Sequence, residues 1–175
     1  MKKIGFVNYD NEFDANRCFT ELGTQFVLAC RALHNVSEDT PNRDEIISHL
    51  VNIKQNAQKQ GLVLMYLNAD YKRHNMWIAL KLLKELPVLN WNEFLYALHC
   101  IENDITIEEA IEDIKQNKKE IDEIEFVNEK DEKLPNTCYS YLRSFLEEAG
   151  LIQKVNSNES KLINSSDKIF TQILL

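Results

Sequence analysis

Residues 136–164, NTCYSYLRSFLEEAGLIQKVNSNESKLIN, limit what this chain can fold into more than any other stretch. Asn136 or Thr137 supplies an N-cap, Pro135 precedes it, and Gly150 stops the run. Between them Cys138, Tyr141, Leu142, Phe145, Leu146 and Ala149 recur at helical spacing and predict one apolar face. That phasing puts Asn136, Tyr139, Ser140, Arg143, Ser144 and Glu147 on the opposite, open face. LIQKV and SKLIN then alternate as short strands around the polar NSNE, and SSDKIFTQILL predicts the start of another helix. A helix, a corner and a two-stranded hairpin follow one another in the order of a winged-helix domain, where the helix enters a groove and the hairpin touches the backbone beside it.

The remaining sequence is compatible with such a unit. Only four glycines and three prolines occur in 175 residues, too few for a fold rich in tight turns. Helical stripes are predicted from Thr20 (Leu22, Phe26, Cys30, Leu33) and over 42–58 (Ile46, Ile47, Leu50, Ile53), the latter bounded by Pro41 and Gly61. The apolar run GLVLMYL reads equally as a buried strand or a helix end. Polar NADYKRHN (68–75) is a connector, which divides the chain into domains 1–70 and 71–175. Helices follow over 76–86, stopped by Pro87; over 90–101, with Asn90 and Glu93 spaced as a capping box; and over 106–124, with Thr106 and Glu109 spaced likewise. KIGFVNY and EFDA near the start predict a hairpin. The expected fold class is mainly α with short β-hairpins, as tandem winged-helix-like units.

Charge narrows the possible partners. The formal net charge is −8, yet residues 1–100 balance 11 basic against 11 acidic side chains. The acidity sits in residues 102–132, where 13 carboxylates face 4 lysines, so the 134–164 stretch lies outside it. No window reaches the length of apolar chain that a membrane span needs, and no signal peptide is expected. Cys18, Cys30, Cys100 and Cys138 are far apart, and Cys30, Cys100 and Cys138 read as small core residues of a reducing, cytoplasmic protein.

On the open helix face, Arg143 is the candidate partner for guanine and Asn136 for adenine, Ser140 or Tyr139 for phosphate, and Thr137 is a further candidate DNA contact. Lys154, Asn156, Ser157, Asn158 and Lys161 supply donors from the hairpin. The plain alternative is a solvated side of an amphipathic helix. Three (D/E)xK tripeptides, Glu159-Ser160-Lys161, Asp113-Ile114-Lys115 and Asp131-Glu132-Lys133, lack the further carboxylate that a nuclease metal site needs. The four histidines show no metal-ligand spacing, and no phosphate-cradling glycine loop occurs. No catalytic residue, metal or cofactor is expected.

MWIALKLLKELPVLNWNEFLYALHC, TIEEAIEDIKQNKKEID and the 136–174 stretch, together with GFVNYDNEFDANRCFTELGTQFV, resemble the DNA-recognition region of AlwI-like type IIS restriction endonucleases and their nicking relatives. Arg143, Phe145, Gly150 and Leu151 match that family's R-x-[FL]-x-x-x-G-L helix with one extra residue, and Thr20, Glu21 and Gly23 match its T-E-x-G helix. The resemblance implies recognition of double-stranded DNA, with Lys3 and Arg17 contributing from the first unit. Cutting would be left to a nuclease domain or subunit, because the family's PD-(D/E)xK domain has no counterpart here. The competing expectation is a protein–protein interaction module whose acidic 102–132 segment docks a basic partner.

Overall fold

The computed structural model describes residues 20–67, 72–127, 134 and 136–163. The expected 3–15 hairpin and the helix after Asn164 fall outside these residues. The fold is mainly helical with one small antiparallel hairpin, and the chain divides into two compact units, Met1–Asn68 and Ala69–Leu175. Among the described residues no helix is long and apolar enough to cross a membrane.

In the first unit α1 (Glu21–Asn35) packs against α2 (Arg43–Leu67). Thr20 caps α1 by accepting a hydrogen bond from the Gly23 amide at 3.0 Å. α2 runs nine residues past the expected stop at Gln58, so GLVLMYL is the end of a helix and not a strand. The reason is burial: Ala57, Gln58, Gly61, Leu62, Val63 and Met65 are all covered, and that packing outweighs the low helix propensity of a single glycine. The stripe expected at Ile46, Ile47, Leu50 and Ile53 is only partly covered, and Ile46 is exposed.

The second unit begins with α3 (Asn75–Glu85), where His74 Nδ1 accepts from the Met76 amide at 3.2 Å. α4 (Trp91–Glu102) opens on a complete capping box, as the spacing predicts. Asn90 Oδ1 accepts from the Glu93 amide at 2.9 Å, and Glu93 Oε2 accepts from the Asn90 amide at 2.7 Å. α5 (Ile107–Gln116) has the same box between Thr106 and Glu109. The expected single helix 106–124 is broken at Asn117, which leaves helical geometry at φ −118° and turns its side-chain amide back onto Asp113. α6 (Lys118–Asp122) is the short remainder, tied to α4 by Lys118 on the buried Glu93 carboxylate and by Asn92 Nδ2 on the Asp122 carbonyl at 2.7 Å.

α7 (Thr137–Glu148) leads into β1 (Ile152–Lys154) and β2 (Ser160–Leu162). The corner is a Schellman motif. Gly150 sits at φ 70°, its amide donates to the Glu147 carbonyl at 2.8 Å, and the Leu151 amide donates to the Leu146 carbonyl at 3.0 Å. The strands pair Ile152 with Leu162 and Lys154 with Ser160. Leu89, in the short link between α3 and α4, pairs with Ser160 on the other side of β2, exchanging hydrogen bonds of 2.8 and 2.9 Å. β2 is therefore paired with β1 on one side and bridged by the single residue Leu89 on the other. The core beneath holds Ile78, Leu80 and Leu82 of α3, Phe94 and Ala97 of α4, Ile111 and Ile114 of α5, and Leu146 and Ile152.

Candidate nucleic-acid interface

The helix expected to present Arg143 and Tyr139 to a ligand is turned the other way. Tyr139, Leu142, Arg143, Leu146 and Ala149 form the buried face of α7, with Tyr139 at 2% and Arg143 at 5% exposure. Cys138 is exposed and Tyr141 is 74% exposed, although the hydrophobic pattern placed both inside. Polar partners explain the rotation. The Tyr139 hydroxyl donates to the Leu89 carbonyl at 2.7 Å, and its ring lies 5.4 Å from Phe94 and 5.8 Å from Trp91. Burial pushes the Tyr139 phenol above its ordinary range, opposed in part by the neighbouring Arg143 charge.

Arg143 stacks its guanidinium 5.5 Å above the Tyr139 ring and spends its donors inside the hairpin. Nε donates to Ser160 Oγ at 2.7 Å, Nη1 to the Ser157 carbonyl, and Nη2 to the carbonyls of Asn156 at 2.8 Å and Glu159 at 3.0 Å. A guanidinium engaged four times cannot also form a bidentate pair with guanine, so the base-reading role expected of Arg143 is corrected. Tyr139 is likewise a core residue with its hydroxyl committed, not a phosphate contact. Asn156 is exposed, yet its side chain is folded into the turn: Oδ1 accepts from the Asn158 amide at 2.8 Å and the Glu159 amide at 2.9 Å, while Nδ2 donates to Glu159. Lys154 is ion-paired with Glu147 of α7.

What faces solvent is a neutral polar strip. Asn136, Thr137, Ser140 and Ser144 line the exposed side of α7, and Ser157, Asn158 and Lys161 line the hairpin. Asn136, at the N-cap of α7, makes no side-chain hydrogen bond to the first amides of the helix. Lys154 and Lys161 are the exposed cations of residues 136–163, against the exposed Glu147 and Glu148. The strip is therefore not basic. Lys3 and Arg17 lie outside the described residues.

The acidic surface is carried by α5, α6 and the turn after them, where Glu108, Glu109, Glu112, Glu120, Glu123 and Glu125 are exposed. The Thr106 hydroxyl and amide hold the Glu109 carboxyl below its usual range. Asp113 is occupied by the Tyr96 hydroxyl and the Asn117 amide, and Lys115 by Glu112 at 3.2 Å, so that (D/E)xK tripeptide forms no open pair. In the hairpin, Ser160 lies buried between Glu159 and Lys161 under the Arg143 side chain. Asp131-Glu132-Lys133 lies outside the described residues. Among the described residues, no three His, Cys, Asp or Glu side chains gather as metal ligands. A cleft of about 420 Å³ beside Trp77 has three cations on its rim, but Arg73 is paired with Asp104 at 2.7 Å and Lys81 with Glu108 at 3.4 Å.

Leu89 and Ser160 had no signal in the sequence. Each looks like an ordinary loop or strand residue until the pairing across the chain is known. Compared with known protein families, curated proteins and solved structures, the chain matches none of them.

Proposed function

We propose that the second unit is a winged-helix-like module that recognises double-stranded DNA, with α7 as the groove helix and the β1–β2 hairpin as the wing. One observation carries this: the single residue Leu89, between α3 and α4, forms an antiparallel bridge to β2 of a hairpin that directly follows α7. Helix, bridging residue, helix, then helix and hairpin follows the winged-helix order, with Leu89 in the place of the first strand and α5 and α6 inserted. The resemblance to the recognition region of AlwI-like enzymes supports the same assignment. Order of elements is a fold-level argument, so the chemistry must come from the exposed strip. Asn136, Thr137 and Ser140 of α7 are the contacts to base edges and phosphate, joined by Asn158, Lys161 and Lys154 from the hairpin. In this role the module recognises its site, and a nuclease domain or subunit does the cutting.

The weak positive charge makes a distinct prediction. With Lys161 and Lys154 as its phosphate contacts, Lys154 giving up its exposed pair with Glu147 on binding, log K against log salt should fall with a slope of about −2, shallow for a DNA-binding protein. Fluorescence anisotropy on pooled random duplexes, at low and physiological salt, measures it. Saturable binding that is lost in Ser140→Glu and weakened in Lys161→Ala supports the module. No binding at low salt overturns it. The exposed carboxylates of α5 and α6 favour the second reading, a protein–protein interaction module that docks a basic partner.

A further inference from the structure

We infer that Arg143 is a positioning residue for the recognition surface: it fixes the 156–159 turn from beneath, so that Asn158 and Lys161 are presented to DNA in one geometry, without touching DNA itself. The inference rests on the proposed DNA reading and adds a division of labour to it. Three carbonyls of one short turn, those of Asn156, Ser157 and Glu159, converge on a single guanidinium, and the Ser160 hydroxyl takes its fourth bond. Only a planar fork with five donors can satisfy four acceptors in this spread; a lysine carries the same charge but not the shape. From above, Asn156 closes the turn onto the amides of Asn158 and Glu159, and the Val155 amide donates to the Glu159 carbonyl at 2.9 Å. The turn is thus bonded on both sides. A preformed turn binds more tightly than one that must be ordered on contact, because the ordering cost falls on folding instead of on binding.

Hydrogen exchange and DNA titration on Arg143→Gln, Arg143→Lys and Ser160→Ala test this in the full chain. With Arg143→Gln, the Val155 and Glu159 amides should exchange about tenfold faster or more, while the Phe94 amide in α4 keeps its protection. Duplex affinity should fall by about tenfold with the salt slope unchanged, and Arg143→Lys should not restore it. Ser160→Ala removes one of the four acceptors and should give an intermediate loosening; it also serves should Arg143→Gln fail to fold. A salt slope reduced by about 0.9 in Arg143→Gln, with affinity restored by Arg143→Lys, marks a direct phosphate contact and overturns the inference. Unchanged exchange at Val155 and Glu159 overturns it too. If the unaltered protein binds no duplex, the DNA reading falls, and the exchange rates alone decide whether Arg143 fixes the turn.

Discussion

Replacing Tyr139 by phenylalanine isolates a single buried hydrogen bond. The ring stays between Trp91, Phe94 and the Arg143 guanidinium, and only the bond to the Leu89 carbonyl is removed. That carbonyl still accepts from the Ser160 amide at 2.9 Å, so it is not orphaned. The loss at neutral pH should be about 1 kcal/mol, near the mean for a hydrogen bond whose remaining partner stays satisfied. Alkaline pH supplies the second half of the experiment. The folded-state phenol titrates above its ordinary value because it is buried. Its contribution is complete below about pH 10 and is lost as pH rises toward the folded value, since the unfolded chain ionises first. The stability of the unaltered protein should therefore fall by about 1.4 kcal/mol more per pH unit than that of the variant, and the two should cross within about one unit above pH 10. Urea unfolding followed by tryptophan fluorescence is the assay, because Trp77 and Trp91 both lie in the second unit. Parallel stability curves between pH 9 and 11, or a neutral-pH loss above about 3 kcal/mol, would refute the reasoning.

Three further outcomes are expected. Asn90→Ala removes the α4 cap and the 2.6 Å bond to Asp122 at a residue only 4% exposed, and should cost about 2 kcal/mol in the same unfolding assay. Gly150→Ala forces a Cβ into the left-handed corner after α7 and should lower stability by about 1–2 kcal/mol, with the circular dichroism of the folded state retained. The Glu109 carboxyl is held below its usual range, so its support of the α5 cap is present above that range and lost as pH falls through the folded value. Amide shifts at residues 106 and 109 should follow that acid transition, and Thr106→Ala, which removes the hydroxyl but keeps the backbone amide, should move it up toward the ordinary carboxylate range.

The parts legible from the sequence are those whose partners lie within a few residues. The boxes at Asn90–Glu93 and Thr106–Glu109, the corner at Gly150 and the alternation on either side of NSNE are local, and each occurs where its spacing predicts. The phase of α7 was not legible. Hydropathy ranks Cys138 and Tyr141 above Arg143 as core residues, but Arg143 finds acceptors 13 to 17 residues on, and Tyr139 finds one 50 residues back. With such partners a polar tip can be buried at little cost, and the helix turns to bury it. The end of α2 was missed for a related reason: Gly61 reads as a stop until the burial around it is known. The break at Asn117 shows the opposite failure, where a local side-chain bond overrides a run of isoleucines at helical spacing.

The peptide of Leu89 has a consequence for how this chain is made. Its carbonyl and amide wait for Ser160, and its carbonyl also for the Tyr139 hydroxyl. During synthesis α3 and α4 emerge first, with Trp91 and Phe94 on the side that Tyr139 will cover. At the usual pace of translation, the roughly seventy residues that separate Leu89 from Ser160 take several seconds to follow. Through that interval the first half of the unit carries an open strand edge and an uncovered aromatic patch. A nascent chain stalled before Tyr139 should thus be more exposed to aggregation and to chaperone capture than one whose hairpin has left the ribosome and closed on Leu89.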